Sequence, residues 1–200
     1  MRILIVGAAG TIGSHLARHF AERHEVVSAN RSSGDVRIDI ASEKSIIDGL
    51  AEVGMVDAII VAAGEARWEP FEKMSEEDFY VGIRSKLMGQ VNIARHAMKH
   101  LGPTGSVTLT TGILAVDPVL MTTSAAMVNG AIHSFVLAAA LEMEGGKRIN
   151  VVCPGLVEDS VEKYADYFPG HNPVPMKKVI NGYVRSVIGK GNGEIIEIYN

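Results

Sequence analysis

The sequence predicts an α/β fold, a doubly wound parallel sheet in three layers, formed as one domain over residues 1–200. Three observations carry this expectation. Apolar runs alternate with helical patterns from end to end, as in strand–helix–strand units stacked on a parallel sheet. A glycine-rich turn, Gly7 to Gly13, joins the first apolar run to the first amphipathic one. No linker, internal repeat or low-complexity tract divides the chain, and a chain of this size buries roughly 70% of its unfolded surface in a single core.

The elements follow in order. Strand Arg2 to Val6 runs into a helix over Ile12 to Arg23, and a second strand covers Glu25 to Ala29. Ser42 is placed to cap a helix over Glu43 to Val53, its hydroxyl facing the free amides of the first turn. A strand over Ala58 to Ala62 precedes a long helix, Glu76 to Leu101, capped by Ser75 and striped by Phe79, Ile83, Leu87, Val91, Ala94 and Met98. The turn "LGPTG", Leu101 to Gly105, closes that helix and opens a strand over Ser106 to Thr111. A helix over Thr122 to Met143, a strand over Ile149 to Val152, two shorter helices between Asp159 and Ile188 and a last strand over Glu194 to Tyr199 complete the count.

Composition narrows the function classes. A net charge of −4 without long arginine or lysine runs argues against nucleic acid or an anionic membrane as partner, and favours a small molecule. The single Cys153 cannot form an intramolecular disulfide and reads as a buried, inert thiol, so a cytoplasmic setting is expected. Met1 leads almost at once into the first strand rather than into a signal peptide. Phe135 to Leu141 is among the longest apolar stretches, well below the roughly 18 residues of a membrane span.

The turn "GAAGTIG" is the first functional signal. Gly7, Gly10 and Gly13 stand between strand and helix at spacings that let backbone approach a pyrophosphate, with Thr11 and Ile12 at the helix start. The free amides and positive dipole end of that helix stabilise the phosphate charge. Beyond the second strand come Asn30, Arg31 and Ser32 where an acidic residue would select an unphosphorylated ribose. A guanidinium with nearby hydroxyls suits a 2′-phosphate, so NADP is favoured over NAD.

"GAAGTIG", Asp39 with Ile40, "VAAG" at Val61 to Gly64 and "NVVCPGLV" at Asn150 to Val157 together resemble the short-chain dehydrogenase/reductase superfamily over nearly the whole chain. Length and the Pro154-Gly155 turn suit its compact single-domain form, while the glycine spacing is closer to the branch with longer chains. The resemblance implies a Rossmann-type NAD(P)-binding domain. It places Asp39 and Ile40 at the adenine, Ala62, Ala63 and Gly64 along the cofactor, and Pro154 and Gly155 near the nicotinamide. It also implies a homodimer or homotetramer paired through the helices matching Glu76 to Leu101 and Thr122 to Met143.

One departure stands out. Family members carry a tyrosine and, four residues later, a lysine on one helix face beside the nicotinamide, to protonate the alkoxide that hydride transfer leaves. Here those positions are Ala125 and Asn129, and no tyrosine occurs between Tyr80 and Tyr164. Alanine has no transferable proton, and asparagine brings no charge. Thr111, or Thr110 if the register slips, matches the family's strand-end serine and is the candidate for orienting a carbonyl. Lys86 matches an asparagine of the family. At the edge of the apolar stripe it reads first as an outward, solvated lysine; turned inward, desolvation makes it a candidate acid near neutral pH.

His15 with His19 and His96 with His100 pair at one helical turn but read as solvated faces rather than metal ligands, and His133 as packing or touching a partner. Two function classes follow: an NADP(H)-dependent oxidoreductase acting on a small carbonyl or alcohol through Thr111 and Lys86 or water, or a nucleotide-binding sensor or assembly protein without turnover.

Overall fold

A computed structural model describes residues 1–199. Seven parallel strands form one sheet in the order β3-β2-β1-β4-β5-β6-β7. In chain order the elements are β1 (Arg2–Val6), α1 (Thr11–Ala21), β2 (Glu25–Asn30), β3 (Val36–Arg37), α2 (Glu43–Val53), β4 (Val56–Val61), α3 (Glu76–Gly82), α4 (Met88–Ala97), β5 (Leu101–Thr110), α5 (Thr123–Ala140), β6 (Arg148–Pro154), α6 (Val161–Tyr164), α7 (Met176–Ile188) and β7 (Ile195–Ile198).

The central strands are apolar on both sides because helices cover both faces. Ile46 and Leu50 of α2, Ile93 and Ala97 of α4 and Ile132 and Val136 of α5 pack on one face, against Leu4, Ile59, Leu109 and Val151. Leu16 and Phe20 of α1 and Val179, Tyr183 and Val187 of α7 cover the other, against Ile3, Ile5, Ile60 and Val152. The predicted three-layer, doubly wound architecture is what forms. The strand order reverses between β1 and β4, so a crevice opens at the carboxyl ends of those strands, where such sheets bind ligands.

Both serine caps form. Ser42 accepts from the Ser45 amide, and Ser75 builds a reciprocal capping box with Asp78. Four details differ from the sequence expectation. A two-residue edge strand, β3, is added beside β2; it is too short to show a period of two. β5 starts at Leu101, where "LGPTG" extends as strand with a slip in its ladder to β4 instead of forming a turn.

The expected helix 76–101 is broken by a π-helical segment, Ile83–Leu87, and ends at Ala97. A π turn holds an extra residue, so it shifts the phase of everything after it. The side facing the core is therefore Gly82, Ser85, Gly89, Gln90, Ile93 and Ala97, while Phe79, Ile83, Leu87 and Val91 of the apolar stripe stay half-exposed.

The last difference concerns α5, which at 18 residues and mean hydropathy 1.3 is long and apolar enough to cross a membrane. Its apolar residues serve the core instead: Val128, Ile132 and Val136 are fully buried, on the same face as Asn129 and His133.

Candidate active site

The glycine turn is built by close packing. Gly7 has φ +89°, and a Cβ there would stand 2.6 Å from the Ala62 carbonyl oxygen; one on Gly13 would stand 2.0 Å from the Gly7 carbonyl oxygen. Both positions exclude any side chain. Gly10 differs: its φ is −76°, and a Cβ would come no closer than 3.3 Å to its neighbours. Nothing inside the fold demands a glycine at Gly10, so the bare backbone leaves room for a group from outside. As N-cap of α1, Gly10 offers no side-chain cap, and the first-turn amides remain free for an anion.

From this turn a cavity of about 300 Å³ runs across the ends of β1, β2 and β4, lined by Gly7, Asn30, Arg31, Asp39, Ile40, Ala63 and Gly64 among others. Asn30 braces the glycine turn, its Oδ1 accepting from the Ala9 amide at 2.8 Å. The loop carrying Arg31 is pinned by Asp35, whose carboxylate accepts from the Ser28 amide at 2.8 Å and the Ser28 hydroxyl at 2.7 Å; these bonds hold its pKa below the usual carboxylate range. Ser32 is exposed and outside this lining, Thr11 is exposed at the helix start, and Ala62 turns its carbonyl onto Gly7.

A second cavity of about 180 Å³ continues the crevice over β5 and β6, with Ile12, Thr111, Pro154 and Gly155 in its wall. The two hollows, the uncapped helix and the bare Gly10 leave room and a ready anion site for an extended dinucleotide. Among the described residues Arg31 supplies the one side-chain cation in the first lining, and no charged side chain lines the second.

Around Thr111 the structure gathers side chains from four elements. Thr110 points away, to the Tyr183 hydroxyl of α7 at 2.7 Å, which leaves Thr111 as the strand-end hydroxyl facing α5. Thr111 Oγ1 lies 2.8 Å from His133 Nε2. The Cys153 thiol lies 3.1 Å from the Tyr199 hydroxyl; burial pushes the thiol pKa up against the lowering influence of the Tyr199 and Thr111 hydroxyls. His133 is not the isolated packing residue that its place in the sequence suggests; it joins the Thr111 cluster.

Lys86 turns inward, contrary to the outward reading of the stripe. It sits in the π turn, its Cα, Cβ and Cγ so close to Gly64 that a Cβ on that glycine would lie 2.8–3.0 Å from them. Desolvation lowers the Lys86 pKa to about 8, against a smaller upward electrostatic pull from Cys153. The wide turn is the physical reason: without its extra residue the phase of a regular helix leaves Lys86 at the edge of the stripe.

Ala125 is buried in an apolar cluster with Leu114, Leu156 and Phe168, three residues that also line the second cavity, so the surroundings of the expected tyrosine position are apolar. Asn129 is buried with no partner for its Oδ1, an orphaned acceptor at the lysine position. Among the other phenols, burial pushes Tyr199 and Tyr183 far up, the opposite of an acid poised to ionise. Tyr164 lines the second cavity with Thr111, its ring 5.0 Å from Trp68. Trp68 also meets Tyr167 and Phe168, so residues 161–168 close over the crevice on an aromatic cluster that sequence periodicity could not reveal.

The paired histidines are otherwise engaged: His15 with Asp159 at 2.8 Å and His96 with Glu43 at 2.9 Å. Among the described residues no three His, Cys, Asp or Glu side chains are grouped to hold a metal ion.

Comparison with known proteins agrees with this geometry. The protein lin1944 from Listeria innocua has a crystal structure 43% identical that superposes with a TM-score of 0.98, covering 100% of both chains. A small-chain dehydrogenase solved in complex with NADPH is 24% identical, with TM-score 0.88 over 100% of this chain and 96% of that one. The hydroxynaphthalene reductase-like protein Arp2 of Metarhizium acridum is 27% identical over 90% of this chain and 78% of its own. A probable tetrahydroxynaphthalene reductase of Zymoseptoria tritici is 25% identical over 98% and 91%. A family model described as enoyl-(acyl carrier protein) reductase matches residues 8–172. On the strength of that match and the crevice it covers, the chain belongs to the short-chain dehydrogenase/reductase family.

Proposed function

We propose that this protein is an NADP(H)-dependent reductase of a small carbonyl compound in which Lys86 replaces the family's missing acid. One observation carries the reading: an inward lysine packed against Gly64 of the first cavity's wall, its pKa lowered by desolvation to about 8. When bound, the reduced nicotinamide supplies the hydride for the carbonyl carbon. The Thr111 hydroxyl donates to the carbonyl oxygen and fixes its orientation. The Lys86 ammonium gives its proton to that oxygen as negative charge develops there, and the amine is reprotonated from solvent. Arg31 favours NADP through the 2′-phosphate, in agreement with the NADPH held by a structural neighbour. The uncharged lining of the second cavity favours neutral substrates, and relatives named as hydroxynaphthalene reductases make polyhydroxylated bicyclic ketones the first to try.

The exposed Val81, Met88, Met127 and Leu137 on the outer sides of α3, α4 and α5 suit a homodimer or homotetramer built on those helices.

The test is titration with NADPH and NADH, followed by nicotinamide absorbance across a panel of neutral ketones. NADPH binding with turnover that Lys86→Met reduces is the expected result. Binding without oxidation across the panel favours the second reading, a nucleotide-binding protein without turnover, for which the apolar surroundings of Ala125 speak.

A further inference from the structure

A hydroxyl has one hydrogen and two lone pairs, so Thr111 can donate to a substrate oxygen only if its protein neighbours leave that hydrogen available. Its nearest recorded neighbour is His133 Nε2, at 2.8 Å, and both side chains are almost wholly shut off from solvent, with 6% and 8% exposure. His133 follows Ala125 and Asn129 at steps of four on the inner face of α5, so it extends the row that in relatives carries the proton-transfer pair. The neighbouring row on the same face, Val128, Ile132 and Val136, is apolar and fully buried, so His133 is set beside an aliphatic row that packs without a polar group.

Burial lowers the His133 pKa against a smaller upward electrostatic pull from Glu197 on β7; Lys86, from the π turn, is the cation that interacts electrostatically with Cys153. The ring is therefore neutral at neutral pH, with one N–H to place. If that hydrogen is on Nε2, Thr111 Oγ1 accepts and keeps its own hydrogen for a third atom. The Cys153 thiol, which interacts with the Thr111 hydroxyl, is a weak acceptor that a carbonyl oxygen outcompetes for that hydrogen.

We infer that His133 is a positioning residue: its Nε2–H donates to Thr111 Oγ1 and thereby turns the threonine hydrogen toward the substrate carbonyl. The inference rests on the carbonyl-reductase reading for its use, but the direction of the hydrogen bond can be measured without any turnover.

The experiment therefore has two arms on the full chain. In the first, ¹⁵N-histidine-labelled protein is examined by NMR at pH 7, free and with NADP⁺. The expected His133 signature is a neutral ring carrying its hydrogen on Nε2, with a resonance that moves in Thr111→Val. A hydrogen on Nδ1, or a doubly protonated ring, overturns the inference. In the second arm, the best ketone of the panel is assayed with His133→Leu and His133→Gln. His133→Leu is expected to lower kcat by about 10- to 100-fold, most of what one oxyanion donor supplies, with KM and the NADPH Kd within about threefold of the parent. His133→Gln, whose amide can donate to the same oxygen, recovers activity to within about fivefold of the parent, which a packing role would not produce. A kcat for His133→Leu within twofold of the parent overturns the inference. Should that variant fail to fold, His133→Gln and the NMR signature decide. Should no ketone react, the reductase reading falls while the NMR arm still settles the bond direction.

Discussion

The two halves of the crevice are assembled by opposite means. At the phosphate half, backbone does the recognition: Gly7 and Gly13 are fixed by 2.6 and 2.0 Å approaches within one turn, and the anion site is the end of the helix that follows. At the proposed reaction half the candidates are side chains, and they come from four distant elements: Thr111 at the end of β5, Lys86 from the π turn, His133 from α5 and Cys153 from β6. A local backbone site survives the loss of one side chain, whereas a site assembled from distant residues can exchange its members. Alanine and asparagine stand at 125 and 129, where a tyrosine and a lysine were expected, while the three glycines of the first turn are present.

The contrast can be attacked at its strongest point first. Gly13→Ala is expected to cost about 3 kcal/mol or more, because its Cβ meets rigid backbone, and to abolish cofactor binding; urea unfolding and NADPH titration check both. Gly10→Ala, with 3.3 Å of room, is expected to leave stability within about 1 kcal/mol while weakening NADPH at least about tenfold. Equal damage from the two would erase the distinction between them.

In the proposed reaction the protonated form of Lys86 is the acid, so ketone reduction is expected to be flat below pH 7 and to fall about tenfold per pH unit above about 8. Lys86→Met removes that limb and lowers kcat by about 10²- to 10⁴-fold. The same pKa has a stability consequence. Between about 8 and the ordinary lysine value of 10.5 the unfolded chain binds more protons than the folded one, so stability rises with pH through that window, by at most about 1.4 kcal/mol per unit. Denaturation midpoints of parent and Lys86→Met across pH 7 to 10 read the difference.

Smaller effects are expected at the edges. Ala125→Tyr overpacks the Leu114, Leu156 and Phe168 cluster and lowers stability by about 1–3 kcal/mol without creating turnover; a gain in kcat would show that the original acid position is still serviceable. Arg31→Ala is expected to weaken NADPH by about tenfold and leave NADH unchanged, since one exposed charge-assisted contact is removed.

Most of the sheet was legible in the sequence because buried parallel strands are continuous apolar runs, and Ser42 and Ser75 announced their helices. The phosphate turn was legible for the reason given above: its geometry is local. Lys86 was misjudged because periodicity assumes a constant turn, and nothing in "IRSKL" marks a π segment. His133 was missed as a neighbour of Thr111 because their contact spans 22 residues and a helix-to-strand packing that no motif encodes. The aromatic cover over the crevice was equally hidden, since Trp68 precedes its partners by some hundred residues of chain.

That cover carries a practical gift. The chain holds a single tryptophan, and it is Trp68, in the wall of the second cavity and 5.0 Å from the Tyr164 ring. Its near-ultraviolet emission comes from one known spot, so a guest entering the crevice or a shift of its roof changes the colour and brightness of the light without any dye, label or engineered probe.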